Sequence, residues 1–271
     1  MTIAKPTADA SASSQTPRDD STALADGRSN MSLLFWGGAI VAVAMIPIFF
    51  AQAFGARILI TPWYLPILGT AAALGVLYAT SRGWRWWRVG ITLLCVALAG
   101  FEWFSLLSAT RLPAYTGPIA AGSALPAFHA VLADGTPIDE SYFRQNRKTA
   151  LVFFQGRGCP FCMTQLTELE GHHADFESAG ADVVVVSIEG ADEAAKTKND
   201  FPHLTVVSDD KRELSTAIDL INKGFHPEGG DSAAPTVLLV DGSGQVRWLH
   251  RPERFIARPS AKELVAKIES W

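Results

Sequence analysis

Two of the three cysteines in this 271-residue chain stand two residues apart, in "FFQGRGCPFCMTQL" (153–166). A sulfur pair at that spacing can cycle between dithiol and disulfide, supply half of a zinc site, or close as an inert bridge. Zinc needs four ligands. There is no second C-x-x-C, and no two of His129, His172, His173, His203, His226 and His250 stand at the usual ligand spacing, so no metal is expected. An inert bridge across two residues would restrict little chain entropy. Redox cycling is the remaining chemistry: a thiolate attacks, and a partner one helical turn away resolves the mixed disulfide.

The residues around the pair favour that reading. "TALVFF" (149–154) is a short apolar run of buried-strand type, and a helical pattern follows in which Phe161, Leu166, Leu169 and Phe176 recur. Pro160 suits a first helical turn, where its missing N–H is no loss. Cys159 then falls near the helix cap and Cys162 in the first turn. The N–H groups and partial positive charge of a helix start favour a thiolate. Arg157 adds a formal positive charge two residues upstream.

Elements that could hold this junction surround it. "DVVVVSI" (182–188) and "LTVVSD" (204–209) read as strands. "GADEAAKTKND" (190–200) and "RELSTAIDLI" (212–221) read as helices. "TVLLVDGSGQVRWLH" (236–250) reads as strand, tight turn, strand. Ser260 and Glu263 form a capping box that opens a final amphipathic helix. Segment 118–148 is expected to add a small hairpin. Strands alternating with helices predict an α/β domain with a mixed sheet over 118–271.

The N-terminal part is different in kind. Charged residues make up only 18% of the chain and mean hydropathy is +0.16, because residues 32–111 are largely apolar. Three apolar runs, at about 32–52, 58–80 and 89–110, are each long enough to cross a bilayer. Residues 1–31 are polar and aperiodic and are expected to form a disordered cytoplasmic tail. "AQA" (51–53) has the small-x-small look of a signal cleavage site, but the long leader favours a retained anchor. Arg82, Arg85 and Arg88 place the loop 81–88 in the cytoplasm by the positive-inside rule. Three spans then put the C-terminal domain outside a cytoplasmic membrane that the chain crosses several times, with membrane lipid as one partner. Cys95 reads as a mid-span packing residue. Glu102, beside Trp103 near the outer end of the third run, reads as snorkelling to the headgroups rather than as a site. A net charge of −4 without a basic block argues against a nucleic-acid partner.

"LVFFQGRGCPFCMTQLTELE", with "APTVLLVDGSGQVRW" and "ERFIARPSAKELVAKI" downstream, resembles the thioredoxin superfamily. More narrowly it resembles the AhpC/TSA branch and its peroxiredoxin-like members with a Cys-Pro-aromatic-Cys motif. The resemblance covers about residues 120–271. It implies a thioredoxin-like fold, a cis Pro235 packed against the cysteines, and no cofactor. The departures are specific. Gly158 stands where thioredoxins have Trp, and Phe153 where they keep a buried acid. Cys159 replaces the peroxiredoxin Thr, and no Arg stands near Pro235 where peroxiredoxins keep one.

The expected function is a membrane-anchored thiol–disulfide oxidoreductase acting on protein thiols or disulfides, with an unidentified redox partner. Cys159 would be the exposed attacking thiolate and Cys162 the resolving thiol, while Pro235 shapes the substrate groove and Arg157 lowers the thiol pKa. The alternatives are a thiol peroxidase acting through Cys162, and a non-catalytic module that binds a partner protein or Cu(I).

Overall fold

The computed structural model describes residues 20–226 and 229–271, with side chains from Ser29 onward. Three helices come first: α1 (Asp20–Phe50), α2 (Tyr64–Ser81) and α3 (Trp86–Phe104). Helix α1 contains Pro47, whose missing N–H removes one ladder bond. It ends in a π-helical turn at Ala51–Gly55, and a second such turn, Ser105–Ala109, extends α3. Segments Ser29–Gly55, Tyr64–Ser81 and Trp86–Ala109 are long and apolar enough to span a membrane.

Small residues let these helices meet. Phe35, Ala39, Ala42, Ala72, Ala73 and Val76 are buried between them. A Cβ on Gly38 would sit 2.9 Å from the Ala72 carbonyl oxygen, so only glycine permits the α1–α2 approach. Buried hydroxyls pair across helices: Thr80 with Thr92 at 2.9 Å. The Trp103 indole donates to Thr70 Oγ1 at 2.9 Å. Leu33, Ile40, Val43, Leu74 and Leu93 point outward and are more than half exposed, which is the surface a lipid environment would cover.

Three expectations for this region change. The tail over 1–31 is helical from Asp20, because adding turns to an existing helix costs far less than nucleating one; residues 1–19 of that tail lie outside the described residues. The second helix starts at Tyr64 rather than 58, since Pro62 disfavours helical backbone just before it. Glu102 does not reach outward. Its carboxyl is turned onto Gly69, where a Cβ would stand 2.1 Å from Oε2, and that oxygen is buried without a hydrogen-bond partner.

The second part is a layered α/β domain. Its elements are β1 (Ala130–Leu132), β2 (Pro137–Ile138), β3 (Lys148–Phe153), α4 (Pro160–Gly171), α5 (His173–Ser178), β4 (Ala181–Ser187), α6 (Ala191–Asp200) and β5 (Thr205–Ser208). Then follow α7 (Glu213–Ala217), β6 (Ile221–Asn222), β7 (Ser232–Ala233), β8 (Thr236–Val240), β9 (Val246–His250) and α8 (Ala261–Glu269). One seven-stranded sheet has the order β2-β1-β5-β4-β3-β8-β9. Strands β3, β4 and β5 are parallel, β8 is antiparallel to β3, and β9 to β8. The central strands are apolar on both faces because both are covered. Val152, Val185 and Leu239 face the group that includes α4 and α8. Leu151, Val184 and Leu238 face the group that includes Phe128, Leu214 and Ile218. The mixed sheet flanked by helices and the hairpin within 118–148 match the sequence reading. The long helix expected after Cys159 divides at His172 into α4 and α5.

The two parts are joined through residues 253–258. Leu112 N–H donates to the Glu253 carbonyl at 2.8 Å, Phe255 N–H to Thr110 at 2.9 Å, and Arg258 N–H to Leu59 at 2.7 Å. Buried Arg254 donates from Nε to the Leu106 carbonyl at 2.7 Å, and its guanidinium lies 4.8 Å from the Trp63 ring centre.

Candidate redox site

The cysteine loop leaves the end of β3 and enters α4 within six residues. Cys159 is the N-cap of α4 in extended geometry, and its sulfur accepts the Cys162 N–H at 3.3 Å. Pro160 takes the first helical position, as expected. Upstream, Gly156 has φ +132°, and a Cβ there would sit 2.7 Å from Glu189 Oε1 and 2.8 Å from His226 Nε2. Only glycine lets the loop turn this tightly. Glu189 fixes the next residue by accepting the Arg157 N–H at 3.0 Å.

Both sulfurs are enclosed. Cys159 is 3% exposed and Cys162 is fully buried. Three groups direct positive charge or protons at Cys162: the Cys159 thiol, the Arg258 guanidinium, and the Gln155 backbone amide. Arg258 Nη2 lies 3.9 Å from Cys162 Sγ. Burial opposes ionisation of Cys162, but these donors outweigh it and bring the thiol down to about 7. Cys159 moves the opposite way. It holds the proton it shares with Cys162, and burial and the neighbouring thiolate push its pKa further up. Its S–H also has an acceptor in Gln155 Oε1 at 3.3 Å. The dithiol therefore carries its negative charge on Cys162 and its proton on Cys159.

This reverses the expected order of acidity. Cys159 is neither exposed nor the more acidic thiol, because the helix-start N–H it accepts is outweighed by the charge beside Cys162. Arg157 does not act on the thiols. Its guanidinium is turned to α6, with Nη2 2.8 Å from Asp200 and Nε 3.4 Å from Glu193. Its place as the nearby cation is taken by Arg258. Pro235 is buried, one residue before the Thr236–Phe153 pair at the end of β3. Its peptide bond is trans, as no described peptide is cis. The trans form is the default by about 0.5–1 kcal/mol. Gln155 and Arg258 were missed by sequence reading, although "RPS" (258–260) already stood in the stretch that carries the family resemblance.

Phe161, between the cysteines, faces the helical region. Its ring centre lies 5.3 Å from that of Phe54, 6.4 Å from Phe49 and 5.9 Å from Phe255. The helical part thus covers the active face of α4.

Comparison with known proteins agrees with the fold. Residues 121–249 match the model of the AhpC/TSA family. A search of curated proteins gives no match. Among solved structures, peroxidoxin BcpB of Mycobacterium tuberculosis is 16% identical with a TM-score of 0.50, over 56% of this chain and 97% of its own. A mutant of peroxiredoxin 6 of Arenicola marina is also 16% identical with a TM-score of 0.50, over 56% and 73%. Reduced Prx3 of Vibrio vulnificus, in complex with hydrogen peroxide, is 18% identical with a TM-score of 0.51, over 56% and 99%. The sulfur pair at the strand-to-helix junction accordingly lies in a region that matches the AhpC/TSA family model and has the thioredoxin-like fold of the peroxiredoxin structures, preceded by three apolar helices.

Proposed function

We propose that the protein is a membrane-anchored thiol–disulfide oxidoreductase whose redox domain lies on the extracytoplasmic side. The observation that carries this reading is the geometry of the sulfur pair: both cysteines sit on one helix start, the Cys162 N–H 3.3 Å from Cys159 Sγ and the Arg258 guanidinium 3.9 Å from Cys162 Sγ, an arrangement that favours the thiolate at Cys162. Cys162 attacks the sulfur of a substrate disulfide and expels a thiolate. The Cys159 thiol then gives up its proton and attacks the Cys162 sulfur, which releases the second substrate thiol and closes the Cys159–Cys162 bridge. The family match and the fold support thiol-based redox chemistry of this general kind.

The test is trapping. With Cys159→Ser, a mixed disulfide with a model substrate accumulates on Cys162 and is visible by mass spectrometry. With Cys162→Ser, no such species builds up at neutral pH. Trapping on Cys159 alone would reverse the roles, and a wild-type pair inert to all reductants and oxidants would end the reading.

One observation favours a second activity, reduction of hydroperoxides. The sulfurs are nearly closed to solvent, which admits a small oxidant more readily than a protein, and Arg258 supplies a cation beside Cys162 although no Arg stands near Pro235. Cys162 would become a sulfenic acid, and Cys159 would condense with it. Peroxide consumed once per chain by Cys159→Ser, with the sulfenic acid captured on Cys162 by dimedone, is the result that supports it.

A further inference from the structure

A cavity of about 270 Å³ lies where the outer ends of the three helices meet the redox domain. Phe49, Leu65, Pro66 and Leu106 contribute to its walls, and Phe161 and Phe255 close it on the side of the cysteines. Its lining is almost wholly apolar, and Ser105, Thr110 and Glu102 are its polar residues. Thr110 Oγ1 is already spent on the Ser105 carbonyl at 2.9 Å. Glu102 lines the cavity with its Oε2 turned onto Gly69 and without a hydrogen-bond partner, so its carboxyl is free to swing to a ligand in the cavity. The cavity borders the lipid-facing surface: Ile46, Phe50 and Phe101 line it and are 40%, 52% and 63% exposed.

These features specify a ligand. It comes from the bilayer, it is mostly apolar, and it presents an oxygen to a carboxyl group. Its volume is that of one ring-sized head, near the low end of the roughly 300–1,000 Å³ typical of small-molecule sites. Phe161 belongs both to the cavity wall and to the cluster that packs around Cys159 and Cys162. The reaction on the far side of that ring moves two electrons. We propose that the cavity binds a membrane quinone and that the quinone is the redox partner of the cysteine pair. This rests on the dithiol–disulfide reading above.

Cys162 thiolate and Cys159 thiol lose two electrons and one proton as the S–S bond forms and the S–H bond breaks. The quinone gains the two electrons and two protons, and its two C=O groups become C–OH. The Cys159 thiol supplies one proton. The carboxylic acid of Glu102 supplies the other and is reprotonated from the outer aqueous face. Phe161 is the side chain that the ring displaces to reach the sulfurs. Membrane quinones are stronger oxidants than C-x-x-C disulfides, so electrons leave the protein; substrate thiols then reduce the regenerated bridge by the exchange described above run in reverse, through the same mixed disulfide on Cys162.

The experiment uses the full chain, reduced and then freed of reductant, in lipid nanodiscs without oxygen. Decylubiquinone is added, and quinone absorbance and free thiols are followed together. The expected result is one quinone reduced per pair of thiols lost. Glu102→Gln and Ile46→Trp, which fills the cavity from the lipid side, each slow this reaction at least tenfold, with thermal unfolding confirming that the variants are folded. If Ile46→Trp does not fold, Glu102→Gln decides. A wild-type pair that a soluble disulfide oxidises but decylubiquinone does not would overturn the inference and leave the proposed function standing. Equal quinone rates in wild type and both variants would overturn the site. Inertness to both oxidants would overturn the proposed function itself.

Discussion

Replacing Arg258 by methionine keeps much of the stem and removes the guanidinium 3.9 Å from Cys162 Sγ. The sign follows from the charge: the cation favours the thiolate, so its loss raises the Cys162 pKa above about 7. Alkylation of Cys162 by iodoacetamide, followed across pH by mass spectrometry, should have its midpoint near 7 in wild type and at higher pH in Arg258→Met, with a several-fold slower rate at pH 7. The lowered pKa also links to folding. An ionised Cys162 stabilises the folded chain above the unfolded thiol pKa, and that contribution is lost as pH falls through about 7. Gly156→Ala acts in the same loop. A side chain at φ +132° meets Glu189 and His226, and strain of this type costs about 1–3 kcal/mol, so the thermal midpoint should fall. The cysteines and Pro160 were legible because their roles depend on neighbours in sequence. Arg258 acts on Cys162 from 96 residues away, and no local pattern states which arginine the fold will deliver. Arg157 was the natural choice by proximity, and the acids of α6 drew it aside.

Elements were legible where the period was strong. The valine-rich run of β4 and the alternating helices gave the sheet, since a strand covered on both faces must be apolar throughout. The short α7 and the division at His172 were not legible, because helix ends depend on packing that has no fixed period. The β8–β9 hairpin was visible as "DGSG", and its turn carries a further test. Asp241 accepts the Ser243 N–H at 2.9 Å, the Gln245 N–H at 3.1 Å and the Arg247 guanidinium at 2.6 Å. Partial burial disfavours its charge, yet the Ser243 hydroxyl and these donors depress the pKa to about 2. Its stabilising effect is therefore complete above the unfolded value of 3.8 and is lost as pH falls toward about 2. Asp241→Asn should lower the thermal midpoint at pH 7 and narrow the gap to wild type between pH 4 and 2, as read by circular dichroism.

At the scale of the whole molecule, the helices and the redox domain form one packed object. Phe161 meets Phe54 and Phe255, and Arg254 fills a buried slot against Leu106 and Trp63. Phe161→Ala together with Arg254→Ala removes both contacts and leaves the Leu106 carbonyl without its donor, at a cost of about 1–3 kcal/mol for that group. Labelling of the pair at its Cys162 thiolate with a bulky maleimide should then accelerate at least several-fold, while a small alkylating agent gains less. Equal acceleration of both would show that the helices do not screen the site by size. Sequence reading treated the apolar runs as an anchor and the domain as its cargo, because hydropathy reports crossing and is silent about what a helix end touches.

The six residues from Glu253 to Arg258 take backbone partners from the helical part along their whole length and deliver the Arg258 guanidinium to sulfur. A fragment cut free near residue 115 would keep the sheet and both cysteines but forfeit the carbonyls of Leu59, Leu106 and Thr110 that hold this strap in place. Such a truncated enzyme would be a different reagent, with its own acidity and its own redox balance, and titrations on it would describe the scissors as much as the protein.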